Sequence, residues 1–108
     1  MARFSFEPDD GRLERRFREI EGKLQHQLTF DEAIKRYEQL ESECLTALGT
    51  TGGWLEMFNS DIGVHMQEGD EIWFFNSSPQ DWERMAAERG LALVRAGKVV
   101  AFLLEVRS

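Results

Sequence analysis

Side chains able to bind a metal ion are densest near the middle of the chain, within eleven residues. They are Asp61, His65, Glu68, Asp70 and Glu71. Carboxylate oxygens and an imidazole can together hold a divalent cation. The spacing, however, matches neither an EF-hand loop nor a helical histidine pair. We therefore expect no metal ion or other cofactor, and a small-molecule or metal-dependent enzyme built on residues 61–71 is an alternative hypothesis.

Cys44, the single cysteine, is the candidate nucleophile, with His26 or His65 as its base. A thiol needs an adjacent activating group to act in this way. Cys44 shares a helical stripe with Tyr37 and Leu48, where a buried thiol serves as a small apolar side chain. A Gly-x-Ser-x-Gly nucleophile turn does not occur in the sequence. The sequence therefore names no catalytic residue and favours a non-enzymatic protein.

A group of arginines marks the first predicted helix, and it suggests a second alternative. These residues are Arg12, Arg15, Arg16 and Arg18. Nucleic-acid binding through residues 12–18 would use them against phosphates. Three glutamates interrupt the patch, and Glu14 stands four residues before Arg18, a spacing typical of a salt-bridged solvent face. Nucleic acid is therefore not the expected partner.

Acidic residues dominate the middle of the chain. Residues 37–83, the base-free segment, contain ten Asp or Glu and no Lys or Arg, while the whole chain has a formal charge of −7. Such a field repels phosphate backbones and attracts basic partners. We expect the acids around its predicted turns to be exposed and to bind a partner. The candidate partner-binding residues are Glu56, Asp61, Glu68, Asp70 and Glu71.

Two amphipathic helices are predicted in the first half. The first has apolar residues at spacings of four, three, four and four, namely Leu13, Phe17, Ile20, Leu24 and Leu28. The second starts at the capping box of Thr29 and Glu32 and ends at Gly49. Because only a few residues join the two helices, we predict that they form an antiparallel helical hairpin, at about residues 10–48.

The second half, about 53–106, alternates short strands with turns. Strands are predicted at 54–58, 64–67, 71–75, 91–95 and 98–106, with a short helix begun by Ser78 and Pro79. The helix between two strands predicts a parallel pair and a right-handed crossover, and Ala96-Gly97 predicts a type I turn with a glycine bulge. The fold expected for this single domain, residues 1–108, is α+β. A helical hairpin packs on a mixed four- to five-stranded sheet with one short crossover helix, in the order α-α-β-β-β-α-β-β.

Three motifs in the last third form a recognisable combination. They are Gly69-Asp70-Glu71-Ile72-Trp73, Ser78-Pro79-Gln80-Asp81-Trp82 and Ala92-Leu93-Val94-Arg95-Ala96-Gly97-Lys98-Val99-Val100. The combination resembles a recurrent pattern in small uncharacterised bacterial proteins, in which a G-D-E-x-W strand precedes an S-P-x-x-W helix and an A-L-V-R-x-G-x-V-V hairpin. The resemblance implies a β-α-β-β fold and a bacterial or phage origin, and it implies no activity.

A protein-interaction role is the function that these patterns favour. Neither a signal peptide nor an apolar run of membrane-spanning length is present, so we expect a cytoplasmic protein without a membrane partner. The strand at 71–75 is apolar on both sides, which suggests that a partner chain, or a second copy in a homodimer, covers one side. We therefore predict a non-enzymatic module of the immunity or inhibitor type, whose acidic surface binds a basic protein.

Overall fold

The structure is a computed structural model, and it describes residues 11–50 and 52–108. The helices are α1 (Arg12–Glu21), α2 (Phe30–Leu48), α3 (Trp54–Asp61) and α4 (Pro79–Glu83), with a 3-10 turn at Gly63–His65. The strands are β1 (Leu24–Leu28), β2 (Glu71–Asn76), β3 (Glu88–Arg95) and β4 (Lys98–Arg107). They form one antiparallel sheet in the order β1-β2-β3-β4. The α+β class is as predicted, and four strands lie within the predicted range of four to five, although the element order differs.

Strand β1 separates the two N-terminal helices, so the predicted hairpin over about 10–48 is only partly present. Helix α1 ends at Gly22, and β1 pairs with β2 through a register shift between Leu24 and His26. In the sequence Leu-Gln-His-Gln-Leu, three polar residues stand between Leu24 and Leu28. A spacing of four places the two leucines on the same side of a strand and also on the same side of a helix. Pairing with β2 decides between strand and helix, because β2 offers an apolar strand whose backbone groups need partners.

The helical hairpin of this fold is instead formed by α2 and α3. Residues 54–58, predicted as a strand, belong to α3, and the predicted strand at 64–67 is replaced by the 3-10 turn. Gly49 ends α2 and Gly53 precedes α3, both in the left-handed conformation that glycine adopts most easily. Phe58 and Ile62, four residues apart, are both buried, which a helical spacing allows.

The sheet is antiparallel throughout and not mixed. β2 and β3 are antiparallel neighbours, with Glu71 opposite Val94 and Phe75 opposite Gly90. A parallel crossover needs about a dozen residues or more, usually a helix long enough to cross the sheet. Helix α4 has five residues, so it serves as part of a reversing loop and not as the predicted crossover.

Two apolar cores lie on opposite sides of the sheet. Helices α2 and α3, the α2–α3 layer, cover one side, where Tyr37, Phe58 and Leu91 are buried. Helix α1, the α1 layer, covers the other, where Ile20 and Phe75 are buried. The chain therefore covers both sides of β2 with its own helices. This overturns the packing reason for expecting a partner chain or a homodimer.

The β3–β4 hairpin carries two tight backbone features. Ala96 and Gly97 both have positive φ, 52° and 80°, which is the type I′ turn and not the predicted type I turn with a bulge. The right-handed twist of the two strands favours the primed turn even though Ala is poorly suited to it. At Gly90, an added Cβ would lie 1.9 Å from the carbonyl oxygen of Leu103, so no larger residue fits without moving β4.

Candidate interaction surface

The candidate partner-binding acids lie on α3 and on the loop that leads into β2. Glu56 is exposed on α3, and Asp61 is half-buried at the end of the same helix. Glu68 is exposed in the loop, and Glu71 is exposed at the start of β2, where it accepts a hydrogen bond from Trp73 Nε1 at 2.9 Å. Four of the five candidates thus keep some access to solvent.

Asp70 is the exception, because its side chain is covered and the prediction that it is exposed is wrong. Arg95 donates to both of its oxygens, at 2.9 and 2.8 Å, and the Gln67 N–H donates at 2.8 Å. Its side chain is 1% exposed. The hydrogen bonds from Arg95 hold the pKa of the Asp70 carboxyl below its usual value. Since Arg95 also donates to the His65 carbonyl oxygen at 3.0 Å, the pair fastens the 3-10 turn and its loop to the sheet.

The other acids of the base-free segment form no ion pair with a base among the residues that the structure describes. Among residues 11–50 and 52–108, one acid of the base-free segment, Asp70, forms an ion pair, and its partner is Arg95. Glu41 accepts from the Leu55 N–H at 3.0 Å and so caps the first turn of α3. Glu38 and Glu43 on α2 and Glu56 on α3 remain exposed carboxylates. Lys35 is an exposed base on α2, and exposed acids outnumber it, so the net charge of the α2–α3 layer is negative.

Large apolar side chains are exposed on the same layer, which the sequence did not predict. On α2, Phe30 is 49%, Leu45 55% and Leu48 73% exposed. Leu48 was predicted to lie on the buried stripe, but every residue of α2 after Cys44 is exposed. Met57 on α3 is also exposed. Only the packing of α2 against α3 and the sheet shows which apolar residues of an amphipathic helix stay outside.

The arginines of α1 do not share one role. Arg16 donates a hydrogen bond to each carboxylate oxygen of Glu88, and the bond to Oε2 is 2.6 Å long. Lys23 donates to the same Oε2 at 3.2 Å. Burial of Glu88 opposes ionisation, but the hydrogen bonds from Arg16 and Lys23 outweigh it and lower the pKa of the carboxyl. Arg15 and Arg18 are exposed among the glutamates of α1. The predicted basic patch is therefore divided between a structural ion pair and a mixed-charge surface.

A third charged cluster joins α2 to β4, and no sequence signal points to it. Arg36 donates to the two oxygens of Glu105, both at 2.6 Å, and the Tyr37 hydroxyl donates to Oε2 at 2.8 Å. The Arg36 guanidinium lies 4.8 Å from the centre of the Phe74 ring. Burial, with Glu105 beside it, raises the pKa of Tyr37, so the hydroxyl stays protonated and remains a donor. Both carboxylate oxygens are occupied, which suits a structural role.

The candidates for catalysis are not assembled into a site. Cys44 is half-buried, not fully buried as predicted, and its Sγ accepts from Trp54 Nε1 at 3.4 Å. His26 stacks on Phe74 with ring centres 5.3 Å apart, and His65 lies in the 3-10 turn. In the part of the chain that the structure describes, no group of three or more His, Cys, Asp or Glu is placed to hold a metal ion.

Among the described residues, no helix is both long and apolar enough to cross a membrane. Searches of protein-family models, curated proteins and solved structures find no match to this chain.

Proposed function

We propose that this chain is a non-enzymatic protein-interaction module whose α2–α3 layer binds a basic partner protein, as immunity and inhibitor proteins do. The observation that carries the proposal is a group of exposed carboxylates on this layer that form no ion pair within the described part of the chain. Glu38, Glu43 and Glu56 are exposed there, and the one base that reaches the segment from another part of the described chain, Arg95, is committed to Asp70.

Long-range attraction supports this proposal on physical grounds. Carboxylates on one surface raise the rate of encounter with a positively charged protein, and salt screens the attraction over about 8 Å at physiological ionic strength. Paired acids would contribute little to this field, so the distribution of the unpaired ones matters more than the total charge. Binding should therefore weaken as ionic strength rises.

The proposal can be tested by affinity capture from an extract of the organism that encodes the chain, with the amount of each bound protein measured. The protein is immobilised, and the bound proteins are identified by mass spectrometry at low and at high salt. The test variant carries Glu38→Lys on α2 and Glu56→Lys on α3, and the matched control carries Glu14→Lys and Glu19→Lys on α1. The two variants change the net charge equally but on different layers.

The expected partner is a basic protein whose retention falls with salt and with the test variant, but not with the control. Equal loss with both variants would show that net charge alone controls retention and would overturn the proposal. A partner retained equally at both salt concentrations and by both variants would also contradict it.

A further inference from the structure

Helix α2 has a second stripe of large side chains beside its buried one. Its members are Phe30, Ile34, Glu38, Glu41, Leu45 and Leu48. Spacings of four, four, three, four and three residues place them on one side of a helix. The two ends of the stripe are apolar and exposed, whereas its middle carries two carboxylates. From Phe30 to Leu48 the stripe is about 27 Å long at the rise of an α-helix.

Helix α3 packs beside α2 and runs antiparallel to it. The Phe30 and Phe58 ring centres are 5.8 Å apart at one end, and Trp54 contacts Cys44 near the other. In between, Glu41 caps α3 through the Leu55 N–H. The exposed Met57 stands on α3 itself. The α2 stripe and the exposed Met57 of α3, called the strip below, therefore present apolar side chains at both ends of α2 and one on α3.

The charges around the strip decide what kind of molecule fits it. Glu38 lies within the stripe, and Glu56 is on the neighbouring helix. A purely apolar partner would remove these carboxylates from water without pairing them, which is costly. A second copy of the chain docking through the same surface would bring acid against acid, because a two-fold interface is self-complementary. Nucleic acid and anionic membranes would be repelled for the same reason.

We propose that this strip binds an amphipathic helix of the partner, with apolar residues against Phe30, Leu45, Leu48 and Met57 and Lys or Arg against the carboxylates. The inference rests on the proposed function and specifies the partner at the same surface. A helix of about 18 residues matches the length of the strip. Docking by apolar anchors at spacings of three and four is a recurrent mode of helix recognition.

Three synthetic 18-residue peptides serve as probes of the full chain. The first combines Leu at helical spacings of three and four with Lys elsewhere. The second has the same composition in an order that gives no apolar side, and the third replaces every Lys of the first by Glu. Binding is measured by fluorescence anisotropy of the labelled peptide, and helix formation in the peptide by circular dichroism of the mixture.

The test variant is Leu45→Ser with Leu48→Ser, and the control is Leu13→Ser with Val64→Ser. All four side chains are exposed, so the fold should persist in both, which circular dichroism checks. We expect the amphipathic Lys peptide to bind as a helix, and the test variant to bind it at least about tenfold more weakly than the control does. The other two peptides should bind at least about tenfold more weakly to the unaltered protein.

The failures of the two proposals are distinguishable. Equal binding of the reordered Lys peptide, or equal weakening by both serine variants, overturns the helix site and leaves the acidic surface supported. Failure of the amphipathic Lys peptide to bind also overturns the helix site. Equal binding of the Glu and Lys amphipathic peptides contradicts both proposals, because the carboxylates would then have no influence on the choice of partner.

Discussion

The α2–α3 layer and the α1 layer are each attached to the sheet by an arginine that donates to both oxygens of a covered glutamate. On the first side Arg36 binds Glu105, whose side chain is 3% exposed, and Tyr37 donates as well. On the second side Arg16 binds Glu88, which is 9% exposed, and Lys23 donates as well. The two layers share this arginine–glutamate contact. The second donor is the neutral Tyr37 hydroxyl in the α2–α3 layer and the charged Lys23 ammonium in the α1 layer.

The difference has a consequence for stability. If Arg36 is lost, Glu105 keeps a hydroxyl donor, and the exposed Arg89 is 4.0 Å away. If Arg16 is lost, Glu88 keeps the ammonium group of Lys23 at 3.2 Å. A buried carboxylate without a close cation is much more costly than one that retains a cation. The α1 layer should therefore tolerate the loss of its arginine better.

Replacing Arg36 should have the largest effect. We expect Arg36→Met to lower the free energy of unfolding by about 3–5 kcal/mol, because it leaves Glu105 buried without its main cation. Denaturant unfolding measures the change. The double variant Arg36→Met with Glu105→Met should recover part of the loss, since it removes the buried charge together with its partner. A loss below about 1 kcal/mol would mean that Glu105 becomes solvated at little cost once Arg36 is lost.

Replacing Arg16 should have a smaller effect. We expect Arg16→Met to lower the free energy of unfolding by about 1.5–3 kcal/mol, the range for hydrogen bonds to a charged group, because Lys23 remains. The control is Arg15→Met, an exposed neighbour that should change stability by at most about 0.5 kcal/mol. If Arg16→Met proved as damaging as Arg36→Met, the second cation would not protect Glu88, and the contrast between the layers would disappear.

The pH dependence of stability gives a third test. The folded pKa of Glu88 lies below its ordinary value of 4.5, so its contribution to stability is fully present above that value. The contribution is lost as pH falls through the folded pKa, because the unfolded chain binds the proton more readily. We expect the native protein to lose more stability between neutral and acidic pH than Glu88→Gln does. Parallel curves for the two proteins, followed by thermal unfolding, would contradict the assignment.

The smallest expected effect concerns the β3–β4 turn, which both layers share. Ala96 adopts a positive φ that costs an L-residue about 1–2 kcal/mol, so Ala96→Gly should raise the free energy of unfolding by up to about 1 kcal/mol. Hydrogen exchange should show the gain equally in α1 and α2 if the chain unfolds as one unit. A gain confined to one helix would indicate that the two layers open separately.

Elements with a local chemical signal were predicted well. The capping box formed as expected, with Glu32 N–H donating to Thr29 Oγ1 at 3.1 Å and Thr29 N–H donating to Glu32 Oε1 at 2.7 Å. Ser78 accepts from the Asp81 N–H at 3.2 Å and begins α4, which has Pro79 as its first residue. Such signals depend on residues a few positions apart, so no tertiary contact is needed to predict them.

The candidate surface was predicted less completely. The base-free segment and the exposure of Glu56, Glu68 and Glu71 could be inferred from the sequence. The pairing of Asp70 could not, because Arg95 lies 25 residues further along the chain. The exposed Phe30 and Leu45 were also missed, since an apolar residue on a helix is expected inside until the position of the neighbouring helix is known.

The sequence by itself determined the α+β class, both caps of α2, the strand that became β2 and the sign of charge on the middle of the chain. Tertiary structure decided that residues 24–28 form a strand, that 54–61 form a helix and that β2 and β3 are antiparallel. It also determined which carboxylates form covered ion pairs, namely those of Asp70, Glu88 and Glu105. The physical reason is one of range, because caps and charge counts depend on near neighbours. Strand pairing, helix packing and buried pairs, by contrast, depend on residues far apart in the chain, such as Arg36 and Glu105.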